Sequence, residues 1–375
     1  MITKIPPAGY PPPVPQIVKS YFSLREPDKK KINELLGDEG KICFFSSGRM
    51  ALFAILEALR KIYPRKNRII IPAYTCPVIV EVIRRVGLQI DLVDLEKDSF
   101  IMQRREVENK FSEDTLAILI VHLFGYPHPV WKGFPVIEDA AQAMGTLISG
   151  KFAGTSGKAG FFSFGKGKNL TLDRGGMVFT RDENLFHALP FYSYPYPPAI
   201  SFLRLLLFTI FATPKGWKIL EILNLPREES SYFNRDSRTL SSFHLRLLEK
   251  QLQSFPEEVK KRRNRAEFIR NLLEEISFIK TLSYPEDSIP SLTRLPFLVK
   301  RGKRKEIKIL FQKRGWDVTT MYGKIIPEIF PYFPSPSKFP NAYRLSRELL
   351  TFPLRGYREE KFIKDWNWIK KRITG

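Results

Sequence analysis

The sequence predicts an α/β fold: a large domain built on a mostly parallel sheet flanked by helices, followed by a smaller C-terminal α+β domain. Three observations predict it. From about residue 40 to 180, short apolar runs alternate with amphipathic segments, and strands alternating with helices imply a parallel sheet covered on both faces. Near residues 245–255 the texture changes, and the chain becomes charged and helical. Finally, 375 residues that are 43% hydrophobic suffice for one large core and a second, smaller one.

Residues 1–30 read as an extended arm, because Pro6, Pro7, Pro11, Pro12, Pro13 and Pro15 crowd it. Residues 31–245 form the expected large domain. It opens with a short apolar strand, Ile42 to Phe45, and a small polar turn, Ser46-Ser47-Gly48. Met50, Leu52, Phe53, Ile55, Leu56, Leu59 and Ile62 then recur at helical spacing. Strands follow at Arg68 to Pro72, Gln89 to Asp94, Leu116 to Leu123 and Pro135 to Glu138, with a helix over Val78 to Val86. Gly160 to Phe164 and Gly176 to Thr180 are two more strands, separated by a turn rich in glycine and lysine. An apolar insert spans about 199–225. Its core, Ala199 to Thr213, is interrupted only by Arg204 and is short for a membrane span, which needs about 20 residues. It reads as a buried helix or subunit contact, with a membrane-surface helix as the other reading, since Lys215 and Lys218 follow. Residues 246–375 form the small domain, with a helix over Glu257 to Ile276, a strand over Leu295 to Val299 and a last helix over Glu359 to Ile373.

Lysine and arginine number 61 against 39 aspartates and glutamates, a formal net charge of +22. That excess favours anionic partners such as phosphates. The basic runs Lys260-Lys261-Arg262-Arg263 and Arg301 to Lys305 read as solvated helix faces, and they lack the interleaved aromatics of a nucleic-acid binder. The two cysteines, Cys43 and Cys76, suggest neither a disulfide framework nor a metal site, which points to a reducing, cytoplasmic setting. The N-terminus lacks the apolar core of a signal peptide.

Three places carry chemistry. The first is the turn Ser163-Phe164-Gly165-Lys166-Gly167-Lys168-Asn169. A lysine placed among small residues at a strand end is open to ligand, and a desolvated lysine amine attacks aldehydes; taken alone, the turn reads as a basic loop lined by Lys166 and Lys168. The second is Asp139, just past an apolar strand in Val136 to Gln142, where open α/β sheets gather their ligands. Its plain reading is a helix cap before Ala140, and Glu138 should point the other way. The third is Ser46-Ser47-Gly48-Arg49, between a strand and an amphipathic helix, where a helix N-terminus can hold an anion or the serine can simply cap it. A strand-end lysine, a strand-end carboxylate and an anion cradle are the minimum set for pyridoxal 5'-phosphate (PLP), whose ring nitrogen needs an acid partner.

In that order, these motifs resemble the DegT/DnrJ/StrS group of sugar aminotransferases, which are fold-type I PLP-dependent transferases. The matching segments are Ser46 to Arg49, Ile71-Pro72-Ala73-Tyr74-Thr75, Glu138 to Gln142, and Ser163 to Asn169 followed by Gly175-Gly176. The resemblance implies that Lys168 bonds the cofactor and later shuttles the proton. It implies that Asp139 pairs with the pyridine nitrogen and that Gln142 lies on the ring's phenolic side. Ser163, with backbone N–H groups near Gly48 and Arg49, would hold the phosphate. A partner-subunit asparagine is Asn234 in one register, with Asp236 as the other candidate. Histidine in place of Lys168 would mark a sugar dehydratase. Cys76 stands where the group commonly has an aromatic over the ring, with Tyr74 as the alternative, and Asp173-Arg174 replaces a Gly-Glu pair. The implied protein is a homodimer that takes an amino group from an amino acid, glutamate, to a nucleotide-linked keto sugar, for surface polysaccharide or related sugar biosynthesis. The competing readings are a PLP enzyme for a non-sugar substrate, a dehydratase, or a non-catalytic, membrane-associated member of the fold.

Overall fold

The computed structural model describes residues 11–34, 36–37, 40–212, 236–300, 302–355 and 358–374. Its main sheet has seven strands in the order β1-β9-β8-β5-β4-β2-β3. These are β1 (Lys41–Phe45), β2 (Arg68–Pro72), β3 (Gln89–Val93), β4 (Thr115–Val121), β5 (Val136–Asp139), β8 (Ala159–Ser163) and β9 (Gly176–Thr180). Neighbouring strands from β8 to β3 run parallel, and β9 is antiparallel to both β8 and β1. Every residue of β4 is buried, as a strand covered on both faces requires. A minor sheet joins β6 (Leu147–Ile148) and β7 (Lys151–Phe152) to β11 (Ser288–Ile289).

Helix α3 (Gly48–Ile62) buries nearly all its apolar residues under the sheet, Met50 to Leu56 among them. Ser47 caps it by accepting from the Met50 N–H at 3.2 Å. Helices α4 (Pro77–Arg85) and α5 (Arg104–Lys110) complete the crossovers of this region, and α6 (Glu183–Ala188) follows β9. After residue 241 a single helix, α8 (Ser242–Glu274), runs through the expected domain division. Its first half places Phe243, Leu247 and Phe255 against Phe162, Phe164 and Phe179 of the main sheet region. Its second half places Ala266, Ile269 and Leu273 in the core that includes the three-stranded antiparallel sheet of β10 (Ile279–Thr281), β12 (Arg294–Val299) and β13 (Leu349–Pro353).

Three expectations need correction. The Pro-rich arm is not extended throughout: Val14–Phe22 is helix α1 and Lys29–Glu34 is helix α2. Pro13 stands at the N-cap of α1 and Pro15 in its first turn, positions where a missing N–H costs nothing; residues 1–10 lie outside the described set. The described part of the apolar insert forms helix α7 (Pro198–Phe211), with residues 213–225 outside the described set; of the two readings, buried helix or subunit contact, the helix is not buried within this chain. Ser201 and Leu205 point inward and Phe202 stacks on Tyr21 at 4.2 Å, whereas Ile200, Leu203, Leu207 and Ile210 face outward. Phe22 and Leu24 are also exposed, at 70% and 97%. In the basic run at 260–263, Arg262 is buried at 2% exposure and donates to the Asn169 carbonyl at 3.2 Å. Among the described residues, no helix is long and apolar enough to cross a membrane.

Candidate active site

The carboxyl ends of β1, β2, β4, β5 and β8 all open on one cavity of about 560 Å³. Gly48, Arg49, Asp139, Gln142, Ser163 and Lys168, the described residues to which the sequence assigned the cofactor, all line it. Asn234 lies outside the described residues. Asp236, the other register, does line the cavity, and its carbonyl accepts from the Ser46 hydroxyl at 2.9 Å.

Asp139 ends β5 and is buried at 7% exposure. One carboxylate oxygen accepts from the Ala141 N–H at 2.9 Å; the segment it braces is a turn over residues 141–145 and not the helix that the capping reading expected. Burial pushes its carboxyl above the ordinary range, against the pull of the Ala141 N–H and of the Lys168 and His122 charges. A carboxylate in that position gains from a cationic partner. The Lys168 amine has no hydrogen bond or ion pair among the described residues, although its charge acts on Asp139. Lys166, two residues earlier, is engaged elsewhere, 3.9 Å from Asp173 and over the Phe208 ring. The turn that carries Lys168 is braced from behind. Asn169 donates to the Met144 carbonyl at 2.9 Å and to the Ser291 hydroxyl at 2.7 Å, and Arg262 holds its carbonyl.

The phosphate cradle is a place where side chains would not fit. A Cβ on Gly48 would lie 2.7 Å from the Ser163 Cβ, and one on Gly176 would lie 2.3 Å from the Ser47 carbonyl oxygen. Glycine at both positions lets the start of α3 close onto the end of β8. That leaves the helix N-terminus and the Ser163 hydroxyl on one wall of the cavity, where an anion is stabilised. An unpaired lysine, a buried carboxylate and this glycine-built cradle are the donor set that PLP requires, so the residues present fit the group.

Gln142 is held on both ends, accepting from the Phe124 N–H at 3.1 Å and donating to the Tyr322 hydroxyl at 3.3 Å. Cys76 lines the cavity as the N-cap of α4. Tyr74 does not: it is buried against Phe100 and Tyr322, so it is no substitute cover for the cofactor ring.

His122 also lines the cavity, and sequence reasoning missed it. It follows β4 and is fully buried, with Nε2 3.0 Å from Glu138 Oε2 and Nδ1 accepting from the His128 N–H at 3.1 Å. Glu138 points away from Asp139, as strand alternation demands. Its oxygens also accept from the N–H groups of Gly154, Ser156 and Gly157 at 2.6–2.8 Å. Burial alone would raise its carboxyl. The contact with His122 and the backbone donors outweigh that and hold it below the ordinary range. A depressed carboxyl contributes stability above the unfolded value of about 4.3 and loses it as pH falls through the folded value. Glu138→Gln sets an amide NH₂ among donors and is expected to cost about 3 kcal/mol at neutral pH. It should also lose less stability than wild type as pH falls below about 4.3. Denaturant melts of both proteins at pH 7 and pH 4 check this, and equal stability at pH 7 contradicts it.

Residues 29–194 match the DegT/DnrJ/EryC1/StrS aminotransferase family. GDP-perosamine synthase of Escherichia coli O157:H7 is 34% identical over 149 residues, 38% of this chain and 40% of that protein. A UDP-N-acetyl-3-dehydro-α-D-glucosamine 3-aminotransferase of Acidithiobacillus ferrooxidans is 36% identical over 149 residues, 37% of this chain and 40% of that protein. The matched part thus spans two-fifths of the length of each of these curated relatives. Over 99% of both chains the fold is similar, at 20% identity and a TM-score of 0.71, to an E. coli GDP-4-keto-6-deoxy-D-mannose-3-dehydratase solved with bound hydrated PLP.

Proposed function

We propose that this chain, of the DegT/DnrJ/EryC1/StrS aminotransferase family over residues 29–194, is a PLP-dependent aminotransferase that moves an amino group from an amino acid, glutamate, to a nucleotide-linked keto sugar. The observation that carries the reading is the unpaired Lys168 amine beside the buried Asp139 in one cavity, across from the glycine-built anion cradle. Lysine at 168, where a histidine would mark a dehydratase, favours transfer over dehydration.

The cofactor, when bound, supplies an aldehyde that condenses with amines and a protonated ring that draws electron density from the neighbouring carbon. The chain's residues do the rest. Asp139 holds the proton on the ring nitrogen. Gly48, Arg49 and Ser163 orient the phosphate. Lys168 Nζ would bond the cofactor's aldehyde and, when free, would take the proton from the substrate carbon and return it on the acceptor side, so one base would serve both half-reactions. The buried pair His122–Glu138 fixes the wall between β4 and β5, and Tyr322 holds the Gln142 amide in place.

The amino-acid and sugar substrates, their place in surface polysaccharide or related sugar biosynthesis, and a cytoplasmic location rest on this reading. So does a homodimer: the outward apolar face of α7, with Phe22 and Leu24, offers a surface of the kind that pairing covers. Light scattering at micromolar concentration is expected to give a dimer, and a fully active monomer contradicts the shared site.

The test of the reaction uses the purified protein loaded with PLP. Glutamate alone should convert the visible spectrum to that of the pyridoxamine form. Adding keto sugar nucleotides one at a time should then yield an aminated sugar by mass spectrometry, with ping-pong kinetics. An unchanged spectrum with glutamate, and no aminated product across the panel, would contradict the proposal. Amination only of non-sugar ketones would move the substrate class.

A further inference from the structure

We infer that Lys166, Arg174 and Arg204 form a second anion subsite beside the cofactor cradle, built to hold the diphosphate of a nucleoside diphosphate. The inference deepens the proposed reaction and rests on it for the identity of the acceptor. The sequence assigned no site residue here.

All three cations line the cavity together with Asp173. Helix α7 turns Ser201 and Arg204, three residues apart and so on one face, toward Asp173, while Ile200, Leu203, Leu207 and Ile210 face outward. Arg204 Nη1 lies 3.9 Å from Asp173, Arg174 Nε 3.8 Å and Lys166 Nζ 3.9 Å. None of these is a hydrogen bond, which for N–H···O needs about 2.7–3.2 Å. The Asp173 carboxylate gathers three cations without saturating any. Among the described residues its carboxylate takes one hydrogen bond, a long one from the Ser201 hydroxyl at 3.5 Å. Asp236 adds little negative charge, since Arg238 already holds it in a two-pronged pair at 2.6 and 2.8 Å, with Arg174 at 3.6 Å. Counting Asp236 and Arg238 as neutral together, three cations against one carboxylate leave a net charge of +2 in this corner.

Arg174 gives a second, independent sign of a missing ligand. Its guanidinium stacks on the Tyr196 ring at 3.4 Å, which fixes its plane, and Arg238 stacks on the same ring at 4.4 Å. Its Nε is buried with no hydrogen-bond partner among the described residues, a costly state for a charged donor. A preset donor plane, two further cations and a surplus of two charges match a diphosphate better than a single carboxylate, which one arginine saturates. Asp173 and Arg174 bring one charge of each sign to this edge of the cofactor site, and Lys166 and Arg204 make it cationic.

The test is calorimetric binding of UDP, GDP and inorganic pyrophosphate to the PLP-loaded protein, which needs no turnover. Wild type should bind at least one nucleoside diphosphate, more weakly as salt rises. Arg204→Gln should weaken that binding about 10- to 100-fold, the range for a charge-assisted hydrogen bond. Arg204→Lys should recover most of it, and Arg65→Gln, which removes the same charge from an exposed loop, should not weaken it. PLP affinity and the glutamate half-reaction separate the other anions that could use the corner. A loss confined to PLP binding would assign it to the cofactor's phosphate, and a loss confined to glutamate would assign it to the donor's carboxylate; either overturns the inference. So does nucleoside diphosphate affinity within about twofold of wild type in Arg204→Gln. Should no keto sugar be aminated while nucleoside diphosphates still bind in an Arg204-dependent way, the reaction reading fails and the subsite stands.

Discussion

Lys168→Ala is expected to abolish amino transfer, with a loss of at least about 10⁴-fold, the upper end for a positioned proton-transfer group, because the variant removes the amine proposed to bond the cofactor as well. The fold should survive. The Lys168 amine makes no hydrogen bond or ion pair among the described residues, and the turn that carries it is held by the Lys168 N–H on the Gly165 carbonyl and by Asn169 and Arg262. PLP should still bind, more weakly, through Asp139 and the cradle at Gly48 and Ser163. Single-turnover assays with glutamate, beside equilibrium binding of PLP, check both halves of this expectation. Lys166→Ala is the informative companion: its ammonium serves Asp173 and the anion corner, so it should keep the glutamate half-reaction. A Lys168→Ala protein that still turns over would remove this lysine from the mechanism.

Asp139→Asn is the second large effect. The amide oxygen can still accept the Ala141 N–H that now sits at 2.9 Å, so the β5 end should keep its shape. What disappears is the negative charge that holds a proton on the ring nitrogen. The expected loss in kcat is about 10²–10⁴-fold, with a much smaller change in the glutamate KM, since the interaction is needed most when the substrate carbon gives up its proton. The variant also tests the electrostatics. Burial raises the Asp139 carboxyl despite the pull of the Ala141 N–H and of the nearby Lys168 and His122 charges; binding a protonated ring should lower it again. PLP affinity of wild type should therefore fall in acid, as Asp139 takes up a proton, while that of Asp139→Asn should show a flatter pH dependence. Turnover of Asp139→Asn near wild type would exclude the role.

How much of this was legible in the sequence follows from how local each signal is. The strands Arg68–Pro72 and Gly176–Thr180 have the bounds the sequence predicted, because apolar runs between turn residues need only neighbouring positions to be recognised. Lys168, Asp139 and the Ser46–Arg49 turn were legible for the same reason: each sits where a strand ends, and strand ends in a parallel sheet converge. The residues that were missed are brought in by the tertiary fold. Tyr322 meets Gln142 across 180 positions and Arg262 meets Asn169 across 93, and no local pattern links such pairs. His122 was readable only as the polar residue that ends a wholly apolar strand. Arg204 looked like an interruption of an apolar run; on the helix it marks the inward face. Proline density misled at Val14–Phe22, where the prolines begin a helix.

The central claim is that one particular lysine bonds the cofactor, and borohydride reduction followed by peptide mapping tests it most directly. The protein loaded with PLP should be yellow, lose its visible band on reduction, and carry the pyridoxyl group on Lys168, with Lys166 unmodified. A pyridoxyl group on Lys166, or a protein that takes up no PLP, would contradict the account.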